Sequence, residues 1–145
     1  MTWFLVTIAV ICLVIFFVFL KKRQDELEKS FQKRFIGKKI LYMDKYARII
    51  AQQSRGLSQI AGMGYLVLTS QELYFKLQLM HMEISIPVSS LLRAGDTRRM
   101  GGKNPLRTML KVDFNTVDGK EDAIALLVKD LSRWKAEISS IMNKI

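Results

Sequence analysis

The side chains in this sequence with the clearest chemical potential are basic. Arg93, Arg98, Arg99, Lys103 and Arg107 fall close together, with Asp96 as the single acid among them. Gly101 and Gly102 interrupt the run. Residues without a Cβ let backbone N–H groups come close to an anion. Arginine presents a planar fork that matches two oxygens of one phosphate. The segment is therefore a candidate contact loop for phosphate groups or anionic lipid; the plainer alternative is a loop whose charges are solvated. Lys21, Lys22 and Arg23 form a second basic group, directly after an apolar run.

Other reactive residue types do not assemble. His81 stands at a predicted turn without a Cys or carboxylate partner, the position of a surface residue. Asp113, Asp118, Glu121 and Asp122 scatter around a predicted hairpin and read as a solvated edge, not a cation site. Leu79, Met80 and Met82 are expected in the core, with an adaptable contact surface as the alternative. The one cysteine, Cys12, lies inside the apolar run, which excludes an intrachain disulfide and a thiolate metal centre. No nucleophile–histidine–acid set, phosphate-binding glycine loop, dinucleotide fingerprint or zinc spacing is present. No catalytic residue, metal site or cofactor is expected, and the chain reads as a binder and not an enzyme.

The elements that must position these residues begin with Trp3–Leu20, a stretch free of charge, proline and glycine. As a helix it covers roughly 27 Å, close to the thickness of a bilayer's hydrocarbon. Its β-branched residues are mediocre helix formers in water, but in lipid a lone segment satisfies its backbone only as a helix. Trp3 sits where an interfacial aromatic belongs, and Lys21–Arg23 would anchor the other end among head groups. A cleaved secretory signal would need a basic start, a shorter apolar core and small residues before the cut, none of which is present. A buried core helix would show a polar face, and this segment has none. The span, residues 1–20, is thus predicted to be an uncleaved single-pass anchor. Charge bias puts Met1 outside and the rest of the chain in the cytoplasm, at the cell membrane.

Residues 21–38 read as a basic juxtamembrane connector. Leu27, Phe31 and Phe35 make one helical stripe, predicting a helix that continues or restarts through about Arg34, with Gly37 as a stop. The formal net charge of +10 lies wholly outside the anchor. Beside an anionic leaflet each well-placed cation adds about 1 kcal/mol of attraction.

From residue 39 to 145 the pattern changes to period 2. Strands are predicted over Ala47–Gln53, Gly64–Thr69, Leu73–Leu79, Met82–Ile86, Val88–Gly95, Met109–Thr116 and Lys120–Val128. A helix over Ser70–Met82, capped by Thr69 and Glu72, competes with the hairpin there. Asp118-Gly119 predicts a tight turn. Asp130 can cap a final helix whose apolar residues, Leu131, Trp134, Ile138, Ile141 and Ile145, form one face. The order predicts an α+β domain: a partly closed antiparallel sheet of about seven strands with a helix across its open end.

Two segments within that order resemble a known family. Gly64-Tyr-Leu-Val-Leu-Thr-Ser-Gln-Glu-Leu-Tyr-Phe75 resembles the G-x-L-x-L-T-x-x-x-L-x-F hairpin of bacterial and GRAM-type pleckstrin-homology-like (PH-like) domains. Glu83-Ile-Ser-Ile-Pro-Val-Ser-Ser-Leu91 resembles the strand that follows it there. The resemblance covers residues 39–145 and implies a PH-like barrel or sandwich with a C-terminal capping helix. It also implies non-catalytic binding of lipid head groups, peptides or protein partners. Phosphoinositide-binding members cluster Lys and Arg around the first two strands; here that loop offers Arg55, with Arg48 before it. The resulting expectation is a cytoplasmic, membrane-anchored module contacting anionic lipids or a membrane-associated partner. The alternative is an accessory subunit of a membrane complex, docked through a sheet edge or the last helix without a lipid role. Nucleic acid is disfavoured as a partner because no aromatics interleave the basic loop.

Overall fold

The computed structural model describes Met1–Ile145, Thr2 by its backbone alone. The chain divides into two units, Met1–Gly37 and Lys38–Ile145.

The first unit is one helix, α1 (Thr2–Phe35). The apolar stretch and the basic segment after it are continuous, giving roughly 50 Å of helix at 1.5 Å per residue. It is the one helix, among the described residues, long and apolar enough to cross a membrane. The Thr7 hydroxyl donates to the Trp3 carbonyl at 2.8 Å, so the lone hydroxyl of the apolar stretch is satisfied inside the helix. The Phe31 and Phe35 rings meet tilted, their centres 4.7 Å apart, as i,i+4 neighbours on one helix face can. The helix stops where Ile36 turns extended and Gly37 takes φ +77°, with Lys33 and Arg34 in the last turn favouring its dipole.

The second unit holds seven strands: β1 (Ile40–Gln52), β2 (Gly62–Thr69), β3 (Glu72–Leu77), β4 (Glu83–Pro87), β5 (Leu91–Thr97), β6 (Met109–Asn115) and β7 (Glu121–Leu127), followed by α2 (Leu131–Met142). They form a single open sheet in the order β4-β3-β2-β1-β7-β6-β5, every pairing antiparallel. β1 holds the halves together. It pairs with β2 up to Ile49 and with β7 from Arg48 onward, and irregularities after Asp44 and Ile49 bend it between the two. It starts seven residues earlier than its apolar pattern predicts, because Ile40–Tyr46 carries Lys45 and Asp44 among its side chains and lacks clean alternation.

The inner faces enclose the main core, with Ile49, Leu66, Leu68, Phe75, Leu110, Val112, Ile124 and Leu126 all buried. α2 packs against β5, β6 and β1 and closes this core with Trp134, Ile138 and Ile141. Asp130 caps it, its carboxylate accepting from the Arg133 N–H at 3.0 Å. The Trp134 ring lies 4.6 Å from that of Tyr42, and the Arg133 guanidinium covers the Tyr42 ring at 4.4 Å. Ile145 lies beyond the helix and is 77% exposed, so the predicted apolar face ends at Ile141.

Ser70–Met82 is the expected hairpin, not the competing helix. Thr69 does cap, but it caps a turn: its hydroxyl oxygen accepts from the N–H groups of Gln71 and Glu72. Other local expectations change. Val88–Ser90 is a 3₁₀ turn, so β5 begins at Leu91 and extends to Thr97. Leu79 and Met80, expected in the core, are 65% and 51% exposed; they form the tip of the β3–β4 hairpin, where the chain reverses and has no facing layer. Met82 is partly buried against the core. Gly64 has a packing reason: a Cβ there would run into the Lys76 carbonyl across the β2–β3 pair.

Candidate functional site

The five basic residues picked out before β6 do not stay together. Arg93 lies on β5 and is neutralised: its Nε and Nη2 each donate to Asp113 Oδ2 at 3.0 Å. Lys111 pairs with the other oxygen of the same carboxylate at 2.9 Å. Arg98, Arg99, Lys103 and Arg107 are on the segment joining β5 to β6, exposed, and have no ion-pair partner among the described residues.

That segment is built, not loose. Met100 and Lys103 exchange backbone hydrogen bonds at 3.0 and 2.9 Å, with Gly101 and Gly102 at positive φ between them. Met100 is buried on the outer face of the sheet with Ile50, Ala51, Met109, Ala123 and Ala125, a second small core. The small residues of β7 leave room for it. The positive φ is what requires glycine at Gly101 and Gly102; a Cβ at Gly101 would also press on the Gln59 side chain, and one at Gly102 would meet the exposed Leu57, both in the β1–β2 loop. The segment also presents Leu106 fully to solvent, and the β1–β2 loop presents Leu57 at 87% exposure.

The β1–β2 loop is fixed from below by Asp122. This residue is 4% exposed, which corrects its reading as part of a solvated edge. Its carboxylate accepts from Gln52 Nε2 at 2.7 Å, the Ser54 N–H at 2.9 Å, the Ser54 hydroxyl at 2.7 Å and the Ala123 N–H at 2.8 Å. Burial alone would raise its pKa, but these hydrogen bonds to the charged form outweigh burial and hold the carboxyl below the usual aspartate value. Gln59 closes the loop by accepting from the Gln52 N–H at 2.7 Å and donating back to the Gln52 carbonyl at 3.0 Å. Arg55 is drawn into the same network, its Nε donating to Gln52 Oε1 at 3.2 Å. The parity of β7 carried the missed signal, since Asp122 shares a face with the buried Ile124 and Leu126.

Asp113 is tied up by Arg93 and Lys111, while Asp118 and Glu121 are exposed around the β6–β7 hairpin. Asp118 and Gly119 form its turn, with Gly119 at φ +76° and its N–H donating to the Thr116 carbonyl at 2.9 Å. His81 lies exposed in the β3–β4 turn. Lys21, Lys22 and Arg23 lie on α1 where its apolar stretch ends.

Seven antiparallel strands, bent about β1 and closed by a C-terminal helix, decide the architecture. It fits a PH-like fold. No protein-family model matches the chain, and neither does any curated protein. Solved structures are similar at the level of fold. A chain of the 8S snRNP assembly intermediate aligns over 72% of this chain and 82% of its own, with 12% identity and a TM-score of 0.55. The C-terminal domain of an unknown protein from Leishmania infantum aligns over 81% and 98%, with 15% identity and a TM-score of 0.54. The Vps36 N-terminal PH domain aligns over 74% and 83%, with 14% identity and a TM-score of 0.46. At these identities the first two likenesses show a shared backbone plan alone.

Proposed function

We propose that the chain is a single-pass, membrane-anchored, non-catalytic binding module whose PH-like domain contacts anionic lipid head groups on the cytoplasmic side. The observation that carries this reading is the folded β5–β6 segment, which holds Arg98, Arg99 and Lys103 exposed and without acidic partners beside the solvent-facing Leu106. Exposed cations with an exposed leucine on one segment suit a head-group surface, each cation adding about 1 kcal/mol near an anionic leaflet. The apolar half of α1 supports anchorage, and Lys21–Arg23 after it support a cytoplasmic domain. Tethering raises the effective concentration of lipid, so weak contacts suffice.

The test places the full chain in nanodiscs of phosphatidylcholine, with or without phosphatidylserine, and follows hydrogen exchange of the β5–β6 segment. Slower exchange is expected with phosphatidylserine, reversed by salt and absent in the Arg98→Ala, Arg99→Ala, Lys103→Ala triple variant. Equal exchange on both lipids would remove the lipid role and favour an accessory subunit that docks on a protein partner.

A further inference from the structure

We infer that the PH-like domain carries a separate binding site for a phosphomonoester group, in the cleft where Arg48, Arg107 and Lys129 converge. The cleft has a volume of about 470 Å³ and is lined by these three cations with Tyr46, Met63, Leu127 and Val128. That volume lies within the roughly 300–1,000 Å³ typical of small-ligand sites.

Strand register builds the cleft. Arg48 on β1 stands opposite Met63 of β2 on one side and Leu127 of β7 on the other. Lys129 follows Leu127 by two residues, just beyond β7. Arg107 arrives from the far end of the folded β5–β6 segment, which Met100 clamps to the same outer face. Asp44 fixes the geometry. Its carboxylate accepts from the Tyr46 N–H at 2.9 Å and the Lys129 N–H at 2.9 Å, tying β1 to the chain after β7. Asp44 is buried, and both its oxygens are engaged by backbone N–H groups.

The charge balance selects the ligand. No acidic side chain lines this cleft, and its three cations have no ion-pair partner among the described residues. A second cleft of the same volume, on β5–β7, makes the contrast: its Arg93 and Lys111 are both spent on Asp113, and Glu121 and Asp122 add further acid. Three unneutralised cations held around one concavity match the charge and several oxygens of a phosphomonoester, with two guanidinium forks and one ammonium as donors. The apolar wall of Met63, Leu127 and Val128 would take the carrier of that phosphate. The site lies on the outer face of β1, apart from the β1–β2 loop that holds Arg55.

The test uses the full chain in maltoside micelles and follows phenylglyoxal modification of individual arginines by mass spectrometry, at constant ionic strength. Inorganic phosphate is expected to slow modification of Arg48 and Arg107 saturably, by about fivefold or more, leaving Arg98 and Arg99 unchanged. Glycerol 3-phosphate and nanodiscs containing phosphatidic acid distinguish the source. Protection by the soluble anions identifies a free phosphomonoester, and protection only by the nanodiscs identifies a lipid one. No protection of Arg48 and Arg107 from any of the three, or equal protection of Arg98 and Arg99 by the two soluble anions, overturns the site; in the nanodisc arm Arg98 and Arg99 are already covered by the proposed leaflet contact. Lys129→Gln should weaken the protection about tenfold while hydrogen exchange in β1 stays native. Because Arg98, Arg99 and Lys103 are untouched, failure here leaves the leaflet contact standing, and the reverse also holds.

Discussion

Trp134→Ala is expected to destabilise the PH-like domain by about 3–5 kcal/mol, the largest single-residue effect in the chain. Trp134 is completely buried, joins Ile138 and Ile141 in closing the sheet's open side, and is the surface on which Tyr42 rests. Truncation removes that area and leaves a cavity between rigid strands that cannot collapse around it. Domains of this size hold about 5–15 kcal/mol in total, so the variant should open globally at a greatly raised rate. Hydrogen exchange of the slowest amides in β1, β6 and β7, on the full chain in micelles, reads this directly. Trp134→Phe should be far milder. The indole Nε1 is buried without a hydrogen-bond partner, so phenylalanine removes a desolvated donor along with some volume. Equal losses for the two variants would mean that α2 does not close the core as described.

Asp122→Asn is expected to cost about 2–3 kcal/mol at neutral pH, since a buried carboxylate with four donors loses its charge-assisted bonds. In either orientation the asparagine must also turn its NH₂ group toward at least one of the N–H donors of Gln52, Ser54 and Ala123, none of which can accept a hydrogen bond. The pH dependence identifies the cause. The folded-state pKa is depressed, so the charged form contributes fully above the unfolded value of about 3.9. The contribution disappears as pH falls through the lower folded value. Wild type and variant should therefore differ most at neutral pH and converge in strong acid. A gap that persists unchanged into acid would show that the loss comes from packing and not from the carboxylate. Because Asp122 holds Ser54 and Gln52, exchange in the β1–β2 loop should rise in the variant before the rest of the sheet responds.

The fold was legible where one physical signal dominated. Alternation gave β2, β3, β6 and β7, Asp118-Gly119 marked a reversal, and Asp130 with Trp134 and Ile138 announced the capped helix. It was less legible where the strand is irregular. The first half of β1 pairs with β2 alone, its register shifts after Ile40 and again after Asp44, and Asp44 within it is spent on backbone N–H groups. The surface was the least legible. Five arginines and lysines close in sequence suggested one patch, yet β5 carries Arg93 to Asp113 while Arg107 reaches a cleft with Arg48 and Lys129. Sequence distance cannot report such sorting, which depends on strand register and on Met100 pinning a loop to an outer face. That face did leave a trace: β7 is apolar on both sides, Ala123 and Ala125 outward and Ile124 and Leu126 inward, as a strand covered on both faces must be.

The proposed leaflet contact depends on α1 remaining in the chain as a membrane span with the domain inside. The direct measurement is alkaline extraction of membranes from cells expressing the full chain, combined with protease added to intact and to opened cells. The chain should stay in the membrane pellet, and the PH-like domain should be cut only after opening. Release into the alkaline supernatant, or cleavage of the domain from outside intact cells, would contradict it.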